Sequence, residues 1–273
     1  MNPIFAIAAT ELRIAIRNRW VAISVVTMAV FALVLTAAGS APSGTLGADR
    51  LSLTVASLTS LSVYLVPLIA LLMSFDAVAG EVERGTLALA LTYPGSRAAM
   101  LAGKFMAHLG ILALAVAVGY GIAAVATLAS DIRAVAGLGA LWRLYWSSLL
   151  LGATFLGVGY AASAWARRPG AAAGLVVGIW LGAVVLYDLG LLAAVVADEG
   201  GAFTRYVFPW LLMGNPADAF RLFNLAASGA TSAAAGVAGA AAMVPAWQAL
   251  GLMLLWPLGA FLLANAAFRK LAP

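Results

Sequence analysis

Six runs of apolar residues decide what this chain can become: Trp20–Ala38, Leu51–Ser74, Ala98–Ala129, Leu141–Trp165, Ala171–Ala197 and Gln248–Phe268. A helix needs about 20 such residues to cross the hydrocarbon core of a bilayer. Each run is close to that length or beyond it, so the chain reads as one all-α transmembrane domain over residues 1–273 with six spans. Only 9% of its residues are charged, against about 25% in an ordinary soluble domain. The first run follows Arg13, Arg17 and Arg19 and resembles a secretory leader in its flanks. It exceeds the roughly 7 to 15 apolar residues of a leader, and it is read as retained.

The net charge of +5 does not indicate a nucleic-acid partner, because the basic residues flank the apolar runs instead of lining one face. Taken alternately along the chain, one side collects Arg13, Arg17, Arg19, Arg84, Arg97, Lys104, Arg167, Arg168, Arg269 and Lys270. The other collects Arg50, Arg133, Arg143, Arg205 and Arg221. The first side is cytoplasmic by the positive-inside rule, with both ends of the chain inside. An Ala/Gly/Ser-rich stretch, residues 226–242, supplies little insertion energy. Counting it as a span would carry Arg269 and Lys270 outside.

Residues 2–19 are expected to form an amphipathic interfacial helix, with Thr10, Arg13 and Arg17 on one face and Phe5, Ala8, Leu12 and Ile16 on another. The most polar interruption lies at residues 75–97. Gly85 is expected to end a first short helix and Thr86 to cap a second by accepting an amide, with Glu81 and Glu83 on the polar side. Pro94-Gly95 turns the chain, and Ser96 is the natural N-cap of the next span. In the irregular region 198–247, Pro209 opens a short helix that Gly214 ends, and Asn215-Pro216-Ala217-Asp218 opens a second. The pair is too short for two spans and reads as a re-entrant hairpin dipping into the outer leaflet.

No phosphate-binding G-x-x-x-x-G-K-[ST] and no H-E-x-x-H occur, so the chain neither cradles ATP nor resembles a zinc protease. The absence of cysteine and the single histidine exclude a disulfide scaffold and the usual zinc sites. His108 reads as an interhelical hydrogen-bonding residue. Asp188 is the costliest residue, a carboxylate inside an apolar run, and is expected to line a pathway or subunit interface or to bond a neighbouring helix. Scattered methionines read as core fillers. Met213 and Met243 are the weak candidates for a soft metal such as Cu(I).

The run Gly80-Glu81-Val82-Glu83-Arg84-Gly85-Thr86-Leu87, with Thr92-Tyr93-Pro94-Gly95-Ser96-Arg97 and Gly103-Lys104-Phe105, resembles the coupling region of ABC-2 type permeases. Glu11-Leu12-Arg13 through Trp20 is similar to their N-terminal connecting helix. This resemblance implies that Glu81, Glu83, Arg84, Gly85 and Thr86 contact a separate cytoplasmic ATPase subunit, which binds ATP and Mg. The run Asn215 to Leu222 resembles more narrowly the permease of the copper-processing transporter that serves nitrous oxide reductase maturation. That likeness implies a homodimer in a bacterial inner membrane, with a periplasmic accessory protein facing Asn215, Pro216, Asp218 and Arg221. It leaves copper, a sulfur species or mechanical force as the cargo, with no cofactor in this chain. Alternatives are an ABC-2 permease exporting a drug or lipid, and an intramembrane enzyme using Asp188 or His108.

Overall fold

A computed structural model describes residues 3–16, 19–38, 50–92, 96–225 and 245–271. The Pro94-Gly95 turn, the stretch 226–242 and Met243 lie outside these residues. Every described element is helical, as lipid demands of a chain that must satisfy its own backbone. In order they are α1 (Pro3–Ile16), α2 (Arg19–Ala38), α3 (Arg50–Ser74), α4 (Asp76–Glu83), α5 (Thr86–Thr92), α6 (Arg97–Ser130), a 3-10 helix (Ile132–Gly137) and α7 (Leu138–Ala166). There follow α8 (Pro169–Trp180), a π-helical segment (Leu181–Leu186), α9 (Tyr187–Asp198), a second π-helical segment (Phe203–Val207), α10 (Phe208–Gly214), α11 (Pro216–Leu225) and α12 (Ala246–Arg269).

Among the described residues five helical stretches are long and apolar enough to cross a membrane: Leu51–Glu83, Arg97–Ser130, Ile132–Ala166, Pro169–Asp198 and Ala246–Arg269. The apolar part of α2, Ala22–Thr36, is shorter. At 34 residues α6 extends about 51 Å, well beyond a hydrocarbon core of about 30 Å, so part of it stands outside the lipid.

Burial separates a central helix from a peripheral one. Within its most apolar window, 72% of the Ile132–Ala166 stretch is buried, against 11% of Pro169–Asp198. Small residues make the central position possible: Ala161 and Ala164 of α7 pack with Ala264 and Ala267 of α12 beside Tyr160 and Phe268. A buried hydroxyl chain, Ser62 to Tyr120 (2.5 Å) to Ser148 (2.7 Å), joins α3, α6 and α7 within the apolar interior.

The bundle therefore has two distinct ends. At one, α1 packs along α6, α4 on α7 and α5 on α4, and Arg97 Nη1 donates to the carbonyls of Arg269 (3.1 Å) and Leu271 (2.6 Å), closing the exposed C-terminus of α12. At the other, α11 folds against α3, α7 and α12, and α10 packs on α11 and α12.

Candidate functional site

The α1 end is shaped by an elbow. After Ser74 the helix makes a single turn at Phe75 and continues as α4, ended by Gly85 in the left-handed region at φ 69°. Such a conformation costs a residue with a Cβ about 1–2 kcal/mol. The start of α4 is held by Ser163 of α7, whose Oγ accepts the amides of Val78 (3.1 Å) and Ala79 (2.9 Å). Thr86 does not cap by accepting an amide, as its sequence position implied. Its hydroxyl donates to the Glu81 carbonyl at 3.4 Å, satisfying an acceptor left over at the end of α4.

Glu83, Arg84, Gly85 and Thr86 are exposed. The Arg84–Asp76 pair at 3.7 Å is open to solvent and worth little. Glu81 departs from the expectation that it lies with Glu83 on the polar side. Successive helical residues turn about 100° apart, so Glu81 follows the buried Val78–Gly80 face and points into the bundle, where its Oε1 meets Lys104 Nζ at 2.6 Å. The same ammonium meets Glu11 Oε1 of α1, also at 2.6 Å, while the Lys104 side chain is only 5% exposed. Glu81 Oε2 is buried and has no hydrogen-bond partner among the described residues. One turn along α6, His108 Nδ1 shares a 2.6 Å hydrogen bond with Tyr160 of α7, an interhelical bond of the kind its sequence position implied.

The α11 end carries a second cluster. Asn215 works in both directions: its Oδ1 accepts the Ala217 amide (2.8 Å) at the start of α11, and its Nδ2 donates to the Ala183 carbonyl (2.6 Å) in the first π-helical segment. Pro216 opens α11, where a missing N–H costs nothing. Arg221 forks onto both oxygens of Asp188 (3.1 and 2.7 Å) and lies 3.2 Å from Asp218. Tyr187 donates to the Leu211 carbonyl at 2.7 Å. Asp188 is thus one member of an ion-paired group rather than a lone carboxylate.

Burial corrects the expectation that this run presents its polar side chains outward. Asn215 and Asp218 are buried, and Arg221 is turned toward the two aspartates, because α11 is enclosed on nearly every side, with Ala217, Ala219, Phe220, Leu222, Asn224 and Leu225 all buried. Burial and the neighbouring charge of Asp188 push the Asp218 carboxyl up, to about 8, against the opposing pull of Arg221. Met213 packs in an apolar cluster with Leu191, Leu212 and Leu222, which is the role of a core filler. Among the described residues no group of three or more His, Cys, Asp or Glu is placed to hold a metal ion.

Sequence reasoning passed over Glu11, Ser163 and the joint role of Lys104. A lysine inside an apolar run is itself a signal, since its charge demands a carboxylate nearby.

The family model described as ABC-2 family transporter protein matches residues 5–271. Two relatives, each called "Probable ABC transporter permease protein NosY", come from Pseudomonas aeruginosa and Stutzerimonas stutzeri. They are 43% identical to this chain over 277 and 274 residues respectively, and each alignment covers 99% of both proteins. Matched along nearly its whole length, this chain belongs to the ABC-2 family and is a membrane permease subunit of an ABC transporter.

Proposed function

We propose that the chain couples ATP hydrolysis by a separate cytoplasmic ATPase to the maturation of the copper site of nitrous oxide reductase, through export of cargo or transmission of force. The observation that carries the coupling is the elbow. It is a short helix anchored at its start by Ser163, whose far end presents Glu83, Arg84, Gly85 and Thr86 to solvent on the side richest in Lys and Arg. That side is the cytoplasm in this reading, α2 is a sixth span, and both ends of the chain are inside. Two copies of the permease carry two ATPase subunits in a bacterial inner membrane, and a periplasmic accessory protein docks at the α11 end. Support for the copper pathway comes from the resemblance in the Asn215–Leu222 run and from the likeness to the two NosY permeases.

The test uses the exposed pair. Glu83→Lys with Arg84→Glu inverts the local charges while leaving the buried lysine network alone. The variant should insert into the membrane normally, lose the ATPase subunit on copurification, and leave nitrous oxide reductase without its copper. Full maturation with the ATPase still bound would refute the assignment of the elbow.

A further inference from the structure

The buried lysine at the elbow has more partners than it needs. One ammonium faces two carboxylates drawn from the two elements that flank α6 at this end: Glu11 on α1 and Glu81 on α4, both at 2.6 Å. Backbone approach brings α1 there. Gly103, next to Lys104, lies so close to α1 that a Cβ would stand 2.7 Å from the Ile7 side chain and 3.1 Å from the Ile4 carbonyl. Meanwhile α4 is fastened to α7 through Ser163. Four elements from distant parts of the sequence therefore meet around this group, and α1 has no covalent link to α4 nearer than two helices.

We infer that Lys104 is a positioning residue that makes α1, α4 and α6 move as one body, so that force received at the exposed end of α4 reaches the interfacial helix through the Glu81–Lys104–Glu11 bridge. This inference rests on the coupling reading above. One face of α1 packs along α6 and leaves Phe5 and Leu12 exposed, so moving it with α4 carries a displacement of the elbow to apolar side chains at the membrane face. The charges set the order of dependence. With Glu11 neutralised, Lys104 and Glu81 remain a balanced pair and α4 keeps its seat, while α1 loses its ionic tie. Glu11→Gln therefore separates the role in coupling from a role in folding.

The experiment follows amide hydrogen exchange in peptides from α1 and α4 of the purified complex with its ATPase, with and without ATP plus vanadate. In the native complex both helices should change protection together when nucleotide is trapped. In Glu11→Gln the resting exchange of α1 should rise roughly tenfold, the scale of one lost ionic hydrogen bond, and α1 should cease to respond to nucleotide while α4 still does. The triple variant Glu11→Lys, Lys104→Glu, Glu81→Lys rebuilds the bridge with opposite signs and should restore the joint response. If α1 follows nucleotide undiminished in Glu11→Gln, the bridge does not carry the movement and the inference fails alone. A native complex in which α4 itself ignores nucleotide overturns the coupling reading and the inference with it.

Discussion

Each end of the bundle holds one cation between two carboxylates, and the two groups differ in which member is buried. At the α1 end the buried member is the cation, Lys104, and the acids Glu11 and Glu81 keep some contact with solvent. At the α11 end the buried member is an acid, Asp218, only 3% exposed, while Arg221 and Asp188 are partly open. The ammonium at the α1 end is matched by two carboxylates at 2.6 Å. A buried carboxyl beside another carboxyl can escape its cost by taking a proton, and Asp218 is placed to do so near neutral pH. The first cluster is a permanent fastening. The second is conditional, and it ties α11 to a part of the chain with little packing of its own, the lightly buried stretch Pro169–Asp198.

The largest effect that separates them is expected from removing each cation. Lys104→Met leaves two carboxylates facing each other with nothing between them. It should lower the unfolding free energy by about 3–5 kcal/mol, the cost of breaking a buried ion pair from one side. Denaturation in detergent should show this as a large fall in the transition midpoint.

Arg221→Met is the sharper comparison. It also strands two acids, but Asp218 can hold a proton and donate it toward Asp188, so the loss at pH 7 should be about 1–3 kcal/mol. The loss should grow toward pH 9. The growth comes from the variant, in which the pull of Arg221 on the Asp218 carboxyl is gone and the native state keeps the extra proton to a higher pH; the intact cluster sets the baseline. A folded-state value of about 8, against about 3.9 for an unfolded aspartate, means that the native protein binds the extra proton between those values. Stability from this group therefore falls as pH rises from about 4 to about 8 and is gone above that window. Asp218→Asn should flatten the slope. A cluster with the same response to pH before and after that substitution would erase the contrast between the two ends.

How much of this could be read beforehand depends on how local the causes are. The ends of α6, at Arg97 and Ser130, lie one residue outside the apolar run Ala98–Ala129, and Ser96 caps the helix by accepting the Ala99 amide at 3.1 Å. A cap acts over three residues and is visible in them. The same holds for Asn215 before Pro216. The pairing partners were not legible. Glu11 and Lys104 are 93 residues apart, Asp188 and Arg221 33 apart, and no local pattern states which distant acid a buried cation will find. The cost of Asp188 in an apolar run signalled that a partner had to exist, without saying which. The π-helical segment Leu181–Leu186 had no signal either, since LGAVVL is an ordinary apolar run. The carbonyl it leaves at Ala183 is claimed by Asn215 from the hairpin, a tertiary contact. Glu81 was misplaced for a related reason: composition assigns a glutamate to the polar side, while the helical turn that buries Val78 carries it inward.

The smallest expected effect tests whether charge matters at the α1 end at all, because Ser163 fastens α4 there without any. Its Oγ accepts two amides of α4 across the bundle, and removing a neutral hydrogen-bonding hydroxyl of this kind costs about 1 kcal/mol. Ser163→Ala should therefore lower stability by that amount, accelerate hydrogen exchange at Val78 and Ala79, and leave α11 untouched. The loss should be the same in low and high salt, whereas the contribution of Glu11, which is partly open to solvent, should weaken as salt screens it. If the two proved equally sensitive to salt, the seat of α4 would depend on the lysine network as a whole, and the neutral and ionic anchors would have to be treated as one unit.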